Sequence, residues 1–132
     1  MNIERLQDID ERLFVKNDLN GECIYYTDED CQTPFNGIVY GMCGLPPRLD
    51  YECEIKNGVK DGIELIYNEE GGIEQASECH HNLMYGVSKE YDEGGNLLTA
   101  SVVYNNSHLK IVSPTPEGSY NIEKYAPKST QN

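Results

Sequence analysis

At 132 residues, with 23 acidic against 10 basic side chains and a formal charge of −13, the chain has length for one modest core and a surface of strongly negative sign. That sign argues against nucleic acid and anionic membranes as direct ligands, because both would be repelled, and it favours a basic partner or simple solubility. No apolar run reaches the roughly 20 residues of a helical membrane span.

Taken in order, the first dozen residues place Ile3, Leu6, Ile9 and Leu13 at spacings of three, three and four, which predicts a short amphipathic helix capping the open edge of whatever follows. The start Met1-Asn2-Ile3-Glu4-Arg5 lacks an apolar leader core, so the chain reads as cytoplasmic. The five cysteines, at 23, 31, 43, 53 and 79, form no C-x-x-C and read as reduced thiols. Gly21 to Glu29 matches Gly62 to Glu70 at Gly21/Gly62, Ile24/Leu65, Tyr26/Tyr67 and Glu29/Glu70, and reads as a degraded leading unit. Leu45-Pro46-Pro47-Arg48 interrupts the next unit and reads as a loop, since proline cannot donate to a ladder.

From Gly62 to Tyr104 one unit is written twice. Gly62, Ile63, Tyr67, Gly71, Ile73 and Cys79 return as Gly86, Val87, Tyr91, Gly95, Leu97 and Val103, each at an offset of 24. A fixed period of this length is the mark of a repeat architecture. Each unit runs glycine, apolar alternation, tyrosine, an acidic and glycine-rich turn, then a second alternating run, which is one β-hairpin. Leu49 to Gly58 continues the pattern backward with Gly37 one residue out of phase. The expectation is an all-β protein, one domain over 1–132, whose repeated hairpins over 21–111 form an elongated antiparallel sheet. Residues 112–132 read as a tail or cap, with 113–118 a linker, Tyr120 to Tyr125 a returning strand or cap, and the end frayed.

An even period puts equivalent residues on the same side. Strict alternation then assigns Leu49, Tyr51, Cys53 and Ile55 to one side and Asp50, Glu52 and Glu54 to the other. In the next unit Glu74 and Glu78 fall with Asp50 and Glu54, and in the last the row turns apolar at Leu98, Ala100 and Val102. Candidate chemistry is thin. Cys79, His80, His81, His108 and Cys53 have no metal-ligand spacing, Asp28-Glu29-Asp30 lacks the rest of a calcium loop, and the Glu69-Glu70 and Asp92-Glu93 pairs occupy identical turn environments, whereas catalytic carboxylate pairs need different ones. No enzyme, cofactor or metal is expected.

Lys56-Asn57-Gly58-Val59-Lys60-Asp61-Gly62, running into Tyr67, Gly71, Gly72 and Ile73, resembles the MORN-repeat variant family. Tyr25-Tyr26, followed by Thr33-Pro34-Phe35-Asn36-Gly37, is similar to the opening of the bacterial members classed as antitoxins or immunity proteins. The likeness covers roughly residues 13 to 111. His80-His81-Asn82 and Asn105-Asn106-Ser107 depart from its lysine-asparagine-glycine turn, and weaker turns are expected there. The resemblance implies an immunity protein or antitoxin that neutralises a protein toxin with a basic surface, such as a nuclease domain, by covering its groove. The alternative is a MORN-type scaffold without a toxin partner. For the toxin-binding face the residues singled out are Asp50, Glu52, Glu54, Glu74 and Glu78 on second strands, with Glu64 on the adjoining first strand, unless that face is merely the solvated side of a single-layer sheet.

Overall fold

Residues 3–112 are described by a computed structural model, and side-chain statements stop at residue 107. Ten strands account for the architecture: β1 (Arg5–Gln7), β2 (Phe14–Asn17), β3 (Cys23–Tyr26), β4 (Gly37–Cys43), β5 (Arg48–Lys56), β6 (Val59–Tyr67), β7 (Ile73–His80), β8 (Leu83–Tyr91), β9 (Leu97–Tyr104) and β10 (Ser107–Val112). Eight form a sheet in the order β1-β4-β5-β6-β7-β8-β9-β10, antiparallel from β4 onward, and β2-β3 form a separate hairpin. The all-β expectation of serial hairpins is met. The expectations for 113–132 lie outside the described residues.

The period is visible in the backbone. Hairpins β5-β6, β7-β8 and β9-β10 close through Asn57-Gly58, His81-Asn82 and Asn105-Asn106, whose φ values are 52° and 84°, 50° and 68°, 47° and 70°. Two consecutive positive φ angles make the tight turn whose twist matches the flanking strands. The departures from lysine-asparagine-glycine therefore keep the turn. Asn82 Oδ1 accepts the Lys60 N–H at 2.7 Å and Asn106 Oδ1 accepts the Met84 N–H at 2.7 Å, so each asparagine ties its turn to the neighbouring hairpin. At the opposite strand ends, Asn68 and Asp92 accept backbone N–H groups across the acidic turns, from Glu70 and Gly72 and from Asn96.

Two regions differ from the sequence reading. The N-terminal segment is a strand, with Arg5–Gln7 parallel to Ile38–Tyr40. The Ile38 N–H donates to Glu4 O at 2.9 Å and the Asp8 N–H to Tyr40 O at 2.8 Å. A three-turn helix is marginal alone, whereas edge strand β4 has backbone groups that need partners. Of the four spaced apolar residues Leu6 and Leu13 are buried, and Ile3 and Ile9 face solvent. The leading unit also belongs elsewhere. Gly21, at φ 82°, sits in the Asp18–Glu22 turn of β2-β3 as Gly71, at φ 90°, sits in the Asn68–Gly72 turn, so it is the counterpart of Gly71 rather than of Gly62.

Hairpin β2-β3 lies over one end of the sheet, and between them Leu6, Leu13, Tyr25, Phe35, Val39, Cys53 and Ile55 make the core. Phe35 enters from the stretch leading into β4 and is 1% exposed. Its N–H donates to Tyr25 O and its carbonyl accepts the Gly58 N–H, which joins hairpin, crossover and sheet at one residue. Gly41 packs so closely under the Tyr51 ring that a Cβ would lie 2.2 Å from it.

Candidate protein-binding surface

Each repeated β5-β6 or β7-β8 hairpin carries a bulge, between Cys53 and Ile55 and between Ser77 and Cys79, where the partner strand has extra residues and one N–H loses its ladder acceptor. Glu54 and Glu78 supply the acceptor. Glu54 Oε1 takes the Ile63 N–H at 2.8 Å, and Glu78 Oε2 takes the Val87 N–H at 2.6 Å. Each carboxylate folds over a glycine, Gly62 at φ 121° and Gly86 at φ 117°, where a Cβ would meet it at 2.7 and 2.3 Å. In the last unit the equivalent positions hold Val102 and Lys110, so glutamate and glycine disappear together.

Glu52 shares the face of Glu54 and is also engaged. Arg5 Nε donates to its Oε2 at 2.9 Å and the Tyr67 hydroxyl donates to its Oε1. Burial raises this carboxyl, and the bonds from Tyr67 and Arg5 outweigh burial and hold it below the usual range. The same contacts act in reverse on Tyr67, whose hydroxyl is pushed up to about 12 by burial and by Glu52.

Glu64 points the other way. It pairs with Cys53 and Ser77 across the sheet, and so lies on the face covered by β2-β3. Its Oε2 is 3.1 Å from Lys60 Nζ, with Glu22 at 3.8 Å. Burial alone would lower the Lys60 ammonium, but Glu64 and then Glu22 prevail and raise it. These groups border a cleft of about 290 Å³ between hairpin and sheet. Cys53 lines it, and burial with Glu64 nearby pushes its thiol up to about 12. Cys79 on the same face is pushed up to about 11 for the same reasons. All five cysteines are free. At pH 8 iodoacetamide is expected to label the half-buried Cys31 and Cys43 of the native protein well before Cys53 and Cys79, which peptide mass spectrometry reads directly; equal rates would contradict these burials.

Asp50 and Glu74 complete the correction to a one-sided carboxylate face. Both are the extra residues of a second set of bulges, since Gly41 and Met42 pair with Tyr51 and Leu49, and Ile66 and Tyr67 pair with Gln75 and Ile73. The bulge breaks strict alternation. Asp50 thereby joins Tyr25, Tyr51 and Ile66 on the cleft side, and with Glu74 it borders a groove of about 450 Å³ at the acidic-turn ends of β5 to β8. Glu69, Glu70, Asp92 and Glu93 line the same groove. Its basic residue, Arg48, spends Nη1 on the carbonyls of Asn68 at 2.9 Å and of Tyr67 at 3.3 Å. Hydrogen bonds from Asn96 lower the Asp92 carboxyl and fix it to its own turn. Glu69, Glu70, Glu74 and Glu93 are exposed.

The six residues singled out in the sequence thus divide three ways: Glu52, Glu54 and Glu78 serve the open face, Glu64 serves the covered one, and Asp50 and Glu74 meet the turn carboxylates. In the sequence the turns at Glu69-Glu70 and Asp92-Glu93 rank only second, after the strand carboxylates, as a binding surface, and their convergence with Asp50 and Glu74 is hidden because those two come from bulges. The offset of 24 that carries Glu69 to Glu93 and Asn68 to Asp92 was the available signal. Among the described residues, no group of three His, Cys, Asp or Glu side chains fits a metal ion, and no helix is long and apolar enough to cross a membrane. No protein-family model, curated protein or solved structure matches the chain.

Proposed function

We propose that this chain is a binding protein for a basic protein partner and that the partner docks at the carboxylate groove formed by the acidic turns. The observation that carries the reading is the convergence of Asp50, Glu69, Glu70, Glu74, Asp92 and Glu93 on one concavity whose arginine is already committed to backbone carbonyls. Carboxylates held on adjoining hairpins act as one field, which steers a cationic surface and accelerates its encounter. The resemblance to immunity proteins of the MORN-repeat variant type narrows the partner to a toxin domain, such as a nuclease whose phosphate-binding groove is positive. The alternative, a scaffold that binds a basic protein with no toxic activity, uses the same groove.

The reading expects a reading frame for a basic toxin domain beside this gene, and the test is co-expression with that product; an isolated gene favours the scaffold. Glu69→Lys, Glu70→Lys and Glu93→Lys change exposed residues that make no capping bond with their side chains. The triple variant is expected to fold normally, to associate with the toxin at least about tenfold more slowly at low salt, to lose most of its salt dependence, and to protect cells poorly. A parent protein that neither rescues growth nor co-purifies removes the immunity reading. A triple variant that binds as fast as the parent removes the groove.

A further inference from the structure

At the other end of the strands, on the face opposite the cleft, four side chains form a row across β6, β7, β8 and β9. Asp61, His80, Tyr85 and Tyr104 occupy it. Tyr85 follows Asp61, and Tyr104 follows His80, at the repeat offset of 24, so the row is a product of the repeat itself. His80 Nδ1 is 3.4 Å from Asp61 Oδ2, the His80 and Tyr85 ring centroids are 6.3 Å apart, and those of Tyr85 and Tyr104 are 5.1 Å apart at 50°. Tyr85 is 45% exposed and the His80 side chain 56%, while Asp61 keeps 27% of its side chain open. His80 also packs edge-on against His81, with ring centroids 4.1 Å apart, and among the described residues these rings lie at the sheet surface outside the core, with much of Tyr85 open to solvent.

We propose that this row is a docking site for an arginine side chain of a protein partner. Charge complementarity selects the occupant. Tyrosine faces are negative and attract a cation, a planar guanidinium stacks flat on such a ring, and the Asp61 carboxylate, beyond His80 at the end of the row, adds to the attraction. The chain's charge of −13 concentrates cations at its surface and repels anionic ligands. A lysine ammonium is drawn to the same rings, but it lacks the flat surface that stacks on them. The site is independent of the carboxylate groove, which lies at the opposite strand ends, and it remains a binding site for arginine-bearing segments whether or not the groove takes a toxin.

The experiment is an NMR titration of the whole protein with blocked hexa-arginine and hexa-lysine peptides at equal salt, following the tyrosine and histidine ring resonances. Hexa-arginine is expected to shift the Tyr85, Tyr104 and His80 rings and to bind about two- to five-fold more tightly than hexa-lysine. Tyr85→Leu with Tyr104→Leu should abolish that preference, while Tyr85→Phe with Tyr104→Phe should keep it, because phenyl rings retain the π face. The triple lysine variant of the groove should weaken both peptides and leave the ring shifts and the arginine preference in place. Ring resonances that do not move with hexa-arginine, a preference that survives the leucine pair, or rings that respond instead to neutral maltohexaose would each overturn the proposal.

Discussion

Replacing Phe35 with alanine is expected to destabilise the protein by about 3–5 kcal/mol, the range for deleting a buried phenyl ring where the surroundings cannot collapse. Collapse is hindered here because the ring is 1% exposed and its neighbours belong to separate elements: Leu6 to β1, Tyr25 to β3, Val39 to β4 and Ile55 to β5. Backbone hydrogen bonds on both sides of Phe35 hold the crossover where it is, so the chain cannot move inward to fill the space. Urea unfolding followed by far-UV circular dichroism measures the loss, and hydrogen exchange should place the largest increase in β2-β3. A loss under 1 kcal/mol would mean that hairpin β2-β3 is not held by this core. Phe35→Leu, which keeps an apolar side chain in the site, should recover more than half of the stability.

Asn82→Ala is expected to cost about 2–4 kcal/mol, because three separate interactions end at one side chain that is 3% exposed. Oδ1 accepts the Lys60 N–H at 2.7 Å, and Nδ2 donates to Cys23 O at 3.1 Å and to Asp18 Oδ2 at 3.3 Å. Truncation leaves the Lys60 N–H without its acceptor and the Cys23 carbonyl without this donor. Alanine also has to adopt the left-handed backbone at φ 68°, a penalty of roughly 1–2 kcal/mol that glycine escapes. Asn82→Gly should therefore recover about 1 kcal/mol relative to alanine, and the remaining difference from the parent isolates the side-chain bonds. If glycine restores full stability in urea titrations, the side chain holds nothing and only the turn geometry matters. Asn106, which has the equivalent contact to Met84 but none to β2-β3, should lose less on the same change.

The His81-Asn82 turn also marks where reading the chain by family pattern misleads. Judged against asparagine-glycine, His81 and Asn82 look like a weakened turn, yet asparagine tolerates positive φ and brings a side chain that glycine lacks. The clamps at Glu54 and Glu78 were legible in principle. Glutamate stands eight residues before glycine in both units, and both are gone in the third, but a carboxylate on a strand reads first as a solvated charge. The bulges at Asp50 and Glu74 were not legible. They are a property of two strands in register, and a period of 24 is the same whether or not each strand carries an extra residue.

What the sequence by itself determined is the repeated part of the fold: the hairpins, their tight turns, their order along the sheet and the concentration of acidic side chains in their turns. Those features depend on alternation and on turn residues within a few positions of one another, so local chemistry suffices to specify them. Only the tertiary structure decided that Arg5–Gln7 is an edge strand, that β2-β3 forms a second layer, and that the six carboxylates serve three different places. Each of these depends on partners distant in the chain, as Asn82 depends on Asp18, Glu52 on Arg5 and Leu6 on Val39. A backbone group satisfied by a strand thirty residues away, or a ring buried by a hairpin from another segment, leaves no periodic trace in the sequence that supplies it.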